Sequence, residues 1–176
     1  MKKLASLLLA AVLCLSVCGC DFLEEDSPTK ETGSSATASK SQTKNETFGL
    51  NDTAVFDDIR VTATNILQSK GKGFFEPEDG KIFVGVKFEI ENISDEDQVV
   101  SSILLFNAYV DSVKCGYSIS ATSAFDEGTL DGTITPGKKL IGYYAVEVPT
   151  DWKELELQVQ SSWLSSARAA YVFRKK

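Results

Sequence analysis

A chain of 176 residues with 43 % hydrophobic and 24 % charged side chains is long enough for one domain with a real core and something extra at an end. Its net charge of −7 supplies no basic stripe to neutralise phosphates, which argues against a nucleic-acid partner, and it repels anionic lipid surfaces. The absence of any His removes the commonest general base, triad base and metal ligand together, and the single Met, at the initiator position, leaves no thioether set for copper.

Lys2 and Lys3 followed by the apolar run 4–17 have the charged start and short hydrophobic stretch of an export signal, too short for a comfortable membrane span. The run ends in Val17-Cys18-Gly19-Cys20, which resembles the bacterial lipoprotein signal, in which a small residue precedes the cysteine that is diacylated and becomes the new N-terminus. Cys20 fits that role; Cys18 follows the bulky Val17 and Cys14 follows Leu13, so neither does. Cys18 itself stands where Ala, Ser or Thr would be more usual. Cleavage before Cys20 loses two lysines and leaves 16 basic against 25 acidic residues, a net −9. Two acyl chains on Cys20 would hold the protein stably on the membrane, on its extracytoplasmic face, where one chain binds only marginally. The expected division is a signal peptide over 1–19, a lipidated Cys20 with a disordered Ser/Thr-rich tether over 20–47, and a folded domain over 48–176. The tether composition has nothing to bury and gives a span of roughly 25–30 Å.

Past Phe48 the chain reads as strands. Residues 54–56 form a short first strand, and in 59–66 Ile59, Val61 and Ala63 alternate with Arg60, Thr62 and Thr64. The glycine-rich loop 69–81 then leads to the central strand of 80–97, where Ile82, Val84, Val86, Phe88 and Ile90 share one face and Lys81, Lys87, Glu89 and Glu91 share a face that reads as mostly wet. Strands follow over 99–110 and 113–118, nothing periodic is visible over 121–127, and 130–135 ends at the Pro136-Gly137 turn. In 139–148, Leu140, Tyr144, Val146 and Val148 share a face with Gly142 giving room, which sends Tyr143 outward; 155–159 and 170–173 complete the set, with Trp152 and Trp163 packing at the ends. Seven to nine short strands without a long helical pattern predict an all-β, immunoglobulin-like antiparallel sandwich, with a small barrel as the alternative. Cys115 stands alone in the body, so no internal disulfide is expected, and it reads as a small buried hydrophobe.

The order of these motifs resembles an immunoglobulin-like domain-of-unknown-function family found in lipoproteins of clostridia and other Firmicutes, similar in fold to a small secreted mycobacterial antigen. The resemblance rests on Asp58-Ile-Arg-Val-Thr-Ala-Thr, the 80–96 segment and the Pro136 to Pro149 segment, and it covers Phe48 to the C-terminus. It implies a fold and a surface location, and carries over no catalytic residue. This chain departs from it at Asp111-Ser-Val-Lys, where the family often has an Asp-x-x-Gly hairpin tip.

No Gly-x-Ser-x-Gly or Ser-x-x-Lys setting supports a nucleophile, so an enzyme is not expected, and no cofactor or metal is. Two other classes have candidate residues. Asp95, Glu96 and Asp97, or Asp126, Glu127 and Asp131, could offer oxygens to calcium, but neither set has the spacing of an EF-hand loop. Glu89 and Glu91 could suggest a wall or glycan hydrolase, but i and i+2 on a strand read as a surface ladder. Phe74 and Phe75 are the candidate ligand-binding residues: two adjacent rings cannot both enter a core if the loop is extended, and exposed aromatics at loop tips make binding contacts; the alternative is a loop that folds back and covers both rings. The expectation is a cell-surface lipoprotein presenting a non-catalytic binding module to an envelope protein or glycan.

Overall fold

The computed structural model describes residues 28–32 and 47–175, so the stretch read as a signal peptide, Cys20 and most of the stretch read as a tether lie outside the described residues. In chain order the elements are β1 (Thr29–Thr32), β2 (Thr47–Phe48), β3 (Asp52–Val55), β4 (Ile59–Ser69), β5 (Lys81–Asn92), β6 (Gln98–Val100), α1 (Ser102–Leu105), β7 (Phe106–Val110), β8 (Val113–Cys115), α2 (Ile119–Ser123), β9 (Gly132–Ile134), β10 (Lys139–Pro149), β11 (Glu154–Gln160) and β12 (Arg168–Arg174). They form a sandwich: a first sheet in the order β1-β3-β4-β5-β10, a second in the order β2-β12-β11-β7-β8, and the small pair β6-β9. All strand pairs are antiparallel except β2 with β12.

The twelve strands exceed the expected seven to nine because several are very short. One of them, β1, falls inside the stretch read as tether. It has no apolar side chain, and its place on β3 comes from backbone pairing of Thr29–Thr32 with Asp52–Val55, reinforced by Lys30 on Asp52 (2.7 Å) and Arg60 on Glu31 (3.7 Å). Composition alone could not reveal a strand added to an existing edge. The expected strand over 99–110 is also divided: Ser102 gives its backbone N–H (2.8 Å) and hydroxyl (3.0 Å) to the Asp131 carboxylate, and that turn of helix, α1, separates β6 from β7.

The core lies between the sheets. Of the inward residues of β5 that the alternation indicated, Val84, Val86, Phe88 and Ile90 are buried and Ile82, near the start of the strand, is half-buried against the same core. Phe88 meets Tyr171 and Phe106 edge-on at 5.3 and 5.4 Å, and Phe106 stacks on Tyr144 at 5.0 Å. Tyr171 also joins the sheets by hydrogen bonds, donating to the Val61 carbonyl (2.6 Å) and accepting from the Ala54 N–H (3.2 Å).

Burial pushes the Tyr171 and Tyr144 hydroxyls well above the ordinary phenol range. A folded-state value above the unfolded one means that their contribution to stability is complete below about pH 10 and is lost as pH rises beyond it. The midpoint of urea unfolding should therefore hold between about pH 7 and 9 and fall steadily above about pH 10. A midpoint unchanged through that range would contradict the burial of these rings.

The outer face of the first sheet is not wet along its length. Phe83, Ala145, Ala121 and Ala124 form a second buried cluster with Phe125 packed against it, because α2 lies across the strands there. The Ser118 hydroxyl caps α2 by accepting from the Ala121 N–H (3.0 Å). Gly85 makes this possible, since a Cβ there would meet the Phe125 ring at 2.6 Å. Tyr143, expected outward and exposed, does point outward but is buried under Phe125, ring on ring at 4.8 Å. Trp152 is buried as expected at one end of the sandwich, whereas Trp163 is exposed at the other.

The hairpin at Asp111-Ser112 forms without glycine. Both residues have positive φ (47° and 69°), the backbone of a two-residue type I′ turn, and the Asp111 carboxylate accepts from the Lys153 N–H (3.0 Å) and Glu154 N–H (2.9 Å), which holds the turn in place. At Pro136-Gly137 the expected turn is present, with Gly137 at φ 69° and Lys138 N–H bonded to the Thr135 carbonyl (3.0 Å). Cys115 is half-buried among apolar neighbours, and burial raises its thiol above the usual value.

Candidate functional site

The site is built on the outer face of β4, β5 and β10. Their register lays cross-strand rows there: Arg60-Glu91-Lys139, Thr62-Glu89-Ile141, then Asn65-Lys87-Tyr143, Leu67-Gly85-Ala145 and Ser69-Phe83-Glu147. Between the second and third rows β4 carries a bulge between Ala63 and Asn65, where the Thr64 hydroxyl bonds the Lys87 carbonyl (3.3 Å). The bulge reverses the parity of β4 and brings Asn65, Leu67 and Ser69 to the outside. Sequence alternation ran through Thr64 without a sign of this.

Beyond the bulge these side chains face the segment after α2 across an open groove of about 460 Å³, lined by Asn65, Leu67, Gln68, Phe125, Asp126 and Tyr143. A smaller hollow of about 310 Å³ lies on the far side of Phe125, against Tyr117, Ile119 and Thr129. The groove is pinned by ion pairs: Lys87 meets Glu127 at 2.7 Å, and Lys72, from the loop joining β4 to β5, pairs with Asp126. The hydrogen bond to Glu127 holds the Lys87 ammonium above its ordinary value. Burial does the same for the Tyr143 phenol.

Lys72 fastens the loop that carries Phe74 and Phe75. The loop closes as a small hairpin, with Lys72 N–H on the Phe75 carbonyl (2.8 Å) and Phe75 N–H on the Lys72 carbonyl (3.1 Å). Its two tip residues are Gly73, at φ 64°, and Phe74; positive φ at the first tip position is what a type II′ turn demands, and glycine meets it. Phe74 is therefore held out on a closed turn, fully exposed, while Phe75 is 41 % exposed. The Gly-Phe pair was the sequence signal for that tip. The groove had no such signal, because its two walls are far apart in the chain.

The acidic residues do not converge. Asp131 is taken by Ser102, while Asp126 and Glu127 pair with lysines. Among the described residues no group of three or more His, Cys, Asp or Glu side chains is placed to hold a metal. Glu89 and Glu91 stand on one face as expected and each holds a cation, Lys139 at 2.6 Å and Arg60 at 3.0 Å. The hydrogen bond to Glu89 holds the Lys139 ammonium above its ordinary value, as an outward ion-pair ladder would. Nothing in this arrangement indicates catalysis.

A family model described as a domain of unknown function, DUF4352, matches residues 48–170. Among solved structures the chain is similar to a candidate lipoprotein from Bacillus subtilis, with a TM-score of 0.56 and 14 % identity, over 67 % of this chain and 37 % of that one. It is also similar to an uncharacterized β-sandwich protein from Clostridium difficile, at a TM-score of 0.50 and 18 % identity over 78 % of this chain and 100 % of that one. A candidate lipoprotein from Staphylococcus aureus gives 0.51 and 20 % over 69 % and 87 %. At these identities the likeness establishes the sandwich fold. No curated protein matches the chain.

Proposed function

We propose that this chain, which belongs to the DUF4352 family, is a lipid-anchored, non-catalytic binding module, held by diacylated Cys20 on the extracytoplasmic face of the cell membrane and offering Phe74 and Phe75 to an envelope protein or glycan. The observation that carries the reading is Phe74, fully exposed on a closed and fastened turn. A large ring held in water at the tip of an ordered loop is lost apolar burial for the fold, and such residues serve contact with a partner. The groove alongside, floored by the stacked Phe125 and Tyr143 and edged by Asn65 and Gln68, offers the partner a second, partly polar surface. Similarity to candidate lipoproteins supports the surface location.

Two measurements test this. Cells fed labelled palmitate should mark the protein, and Cys20→Ser should abolish the label; an unlabelled wild-type chain removes the anchor. Phe74→Ser in the full chain should leave the unfolding free energy within about 0.5 kcal/mol, as expected for an exposed side chain, while abolishing chemical cross-links to envelope components. Wild-type cross-linking by the variant overturns the binding role.

A further inference from the structure

Two connections at the end of the sandwich opposite Phe74 carry large apolar side chains and no charge. One is α1 with its approach: Ser102 and Leu105 turn into the protein, whereas Ile103 is 71 % exposed, and Leu104 and Val99 are exposed beside it. The other joins β11 to β12, where Trp163 is 68 % and Leu164 76 % exposed. Phe106 pairs with Val159, so α1 enters β7 at the level where the second connection leaves the neighbouring β11, and the two stand side by side. In a chain with 24 % charged residues, neither 98–110 nor 157–167 contains an Asp, Glu, Lys or Arg, and serines interleave the apolar residues. Leu105, Phe106 and Val159 already fill the core beneath, so the outward side chains do nothing for packing.

The chain's route to Cys20 begins at the same end. Thr29 pairs with Val55, which pairs with Arg60 at the start of β4, and Ile59 pairs with Asn92 where β5 ends. Only residues 21–28, eight in number, separate Cys20 from β1, a reach of roughly 26–29 Å at full extension. We propose that this end rests on the lipid bilayer, with Trp163, Leu164, Ile103 and Leu104 entering the headgroup region, so that the module is held at two places and Phe74 faces away from the membrane. The inference rests on the lipid-anchor reading of Cys20. An anchored domain meets the lipid at high local concentration, so a few apolar side chains suffice, and Trp is the residue type enriched at that interface. Asp57, Asp58, Asp95, Glu96 and Asp97 stand at the same end on the side of the first sheet, so the contact is apolar and not electrostatic.

The chain has two tryptophans, and only Trp163 is exposed, which makes it a reporter. The full mature chain is reconstituted in phosphatidylcholine vesicles with and without brominated acyl chains, and the acyl group on Cys20 is read from the mass of its N-terminal peptide. Brominated lipid should quench Trp163, leaving the emission of buried Trp152, and the combined Ile103→Ser, Leu104→Ser and Leu164→Ser variant should lose that quenching. An acylated chain whose Trp163 stays unquenched overturns the docking and leaves the anchor standing. A chain without the acyl group that is still quenched on mixing with vesicles supports the docking and overturns the anchor. A Trp163 emission that moves to shorter wavelength with rising protein concentration in the lipid-free Cys20→Ser chain assigns the patch to a second copy and overturns the proposal.

Discussion

Replacing Asn92 by Ala should lower the unfolding free energy by about 3 kcal/mol. Asn92 is wholly buried at the end of β5, and every hydrogen-bonding group it has is used. Its amide NH₂ donates to the Glu96 and Ile134 carbonyls, both at 2.7 Å, and its side-chain oxygen accepts from the Ser94 N–H (2.9 Å) and hydroxyl (2.8 Å). Its backbone N–H donates to the Lys138 carbonyl and its own carbonyl accepts from the Gly137 N–H, both at 3.0 Å. The side chain thus ties the acidic turn and β9 to the sheet, while the backbone of the same residue holds the β9–β10 turn. Alanine keeps the backbone bonds but leaves the buried Ile134 carbonyl without a donor, and the turn at Ser94 without its acceptor. Asn92→Asp should do no better, because it loses both donors and places a charge in the core. Urea unfolding measures the loss; a change under about 1 kcal/mol would mean that backbone pairing alone holds the turn.

Gly142→Ala should lower stability by about 2 kcal/mol, more than overpacking against a flexible side chain would. A Cβ at Gly142 would stand 2.5 and 2.7 Å from the Gly128 and Thr129 carbonyl oxygens, which are backbone and cannot swing aside. The segment must withdraw, and with it goes the Tyr143 N–H bond to the Gly128 carbonyl (3.0 Å) that ties the chain beyond the groove to β10. Amide exchange over 124–129 should therefore quicken along with the fall in the urea midpoint. Gly85→Ala, whose Cβ meets only the end of the Phe125 ring, should cost less. A Gly142→Ala protein as stable as the wild type would show that this segment has room to shift.

The strands were legible where burial has one side. In β5 and β10 the inward positions follow a period of two because the second sheet lies over them, while the gap at Gly142 is filled by the backbone of 128–129. The outer face was misread because its cover, α2 and Phe125, comes from a stretch whose short helix has too few turns to show a period. The groove depends on one unpaired residue at Thr64, and a bulge leaves alternation intact on either side while reversing its meaning. Trp163, like Trp152, flanks β11, and a flanking position says nothing about which end of a strand is covered. By contrast, Phe74 and Phe75 could be picked out as candidates, since two adjacent rings cannot both enter a core if their loop is extended, although which ring is exposed depends on the turn that Gly73 allows.

The family match begins at residue 48, so a fragment cut to that boundary would lack Thr29–Thr32 and leave the outer N–H and C=O groups of β3 unpaired. An open edge of this kind recruits strands from other molecules. Recombinant protein trimmed to the family-matched region would then be prone to join edge to edge and precipitate, and including the four polar residues of β1 would be a practical means of keeping it monodisperse.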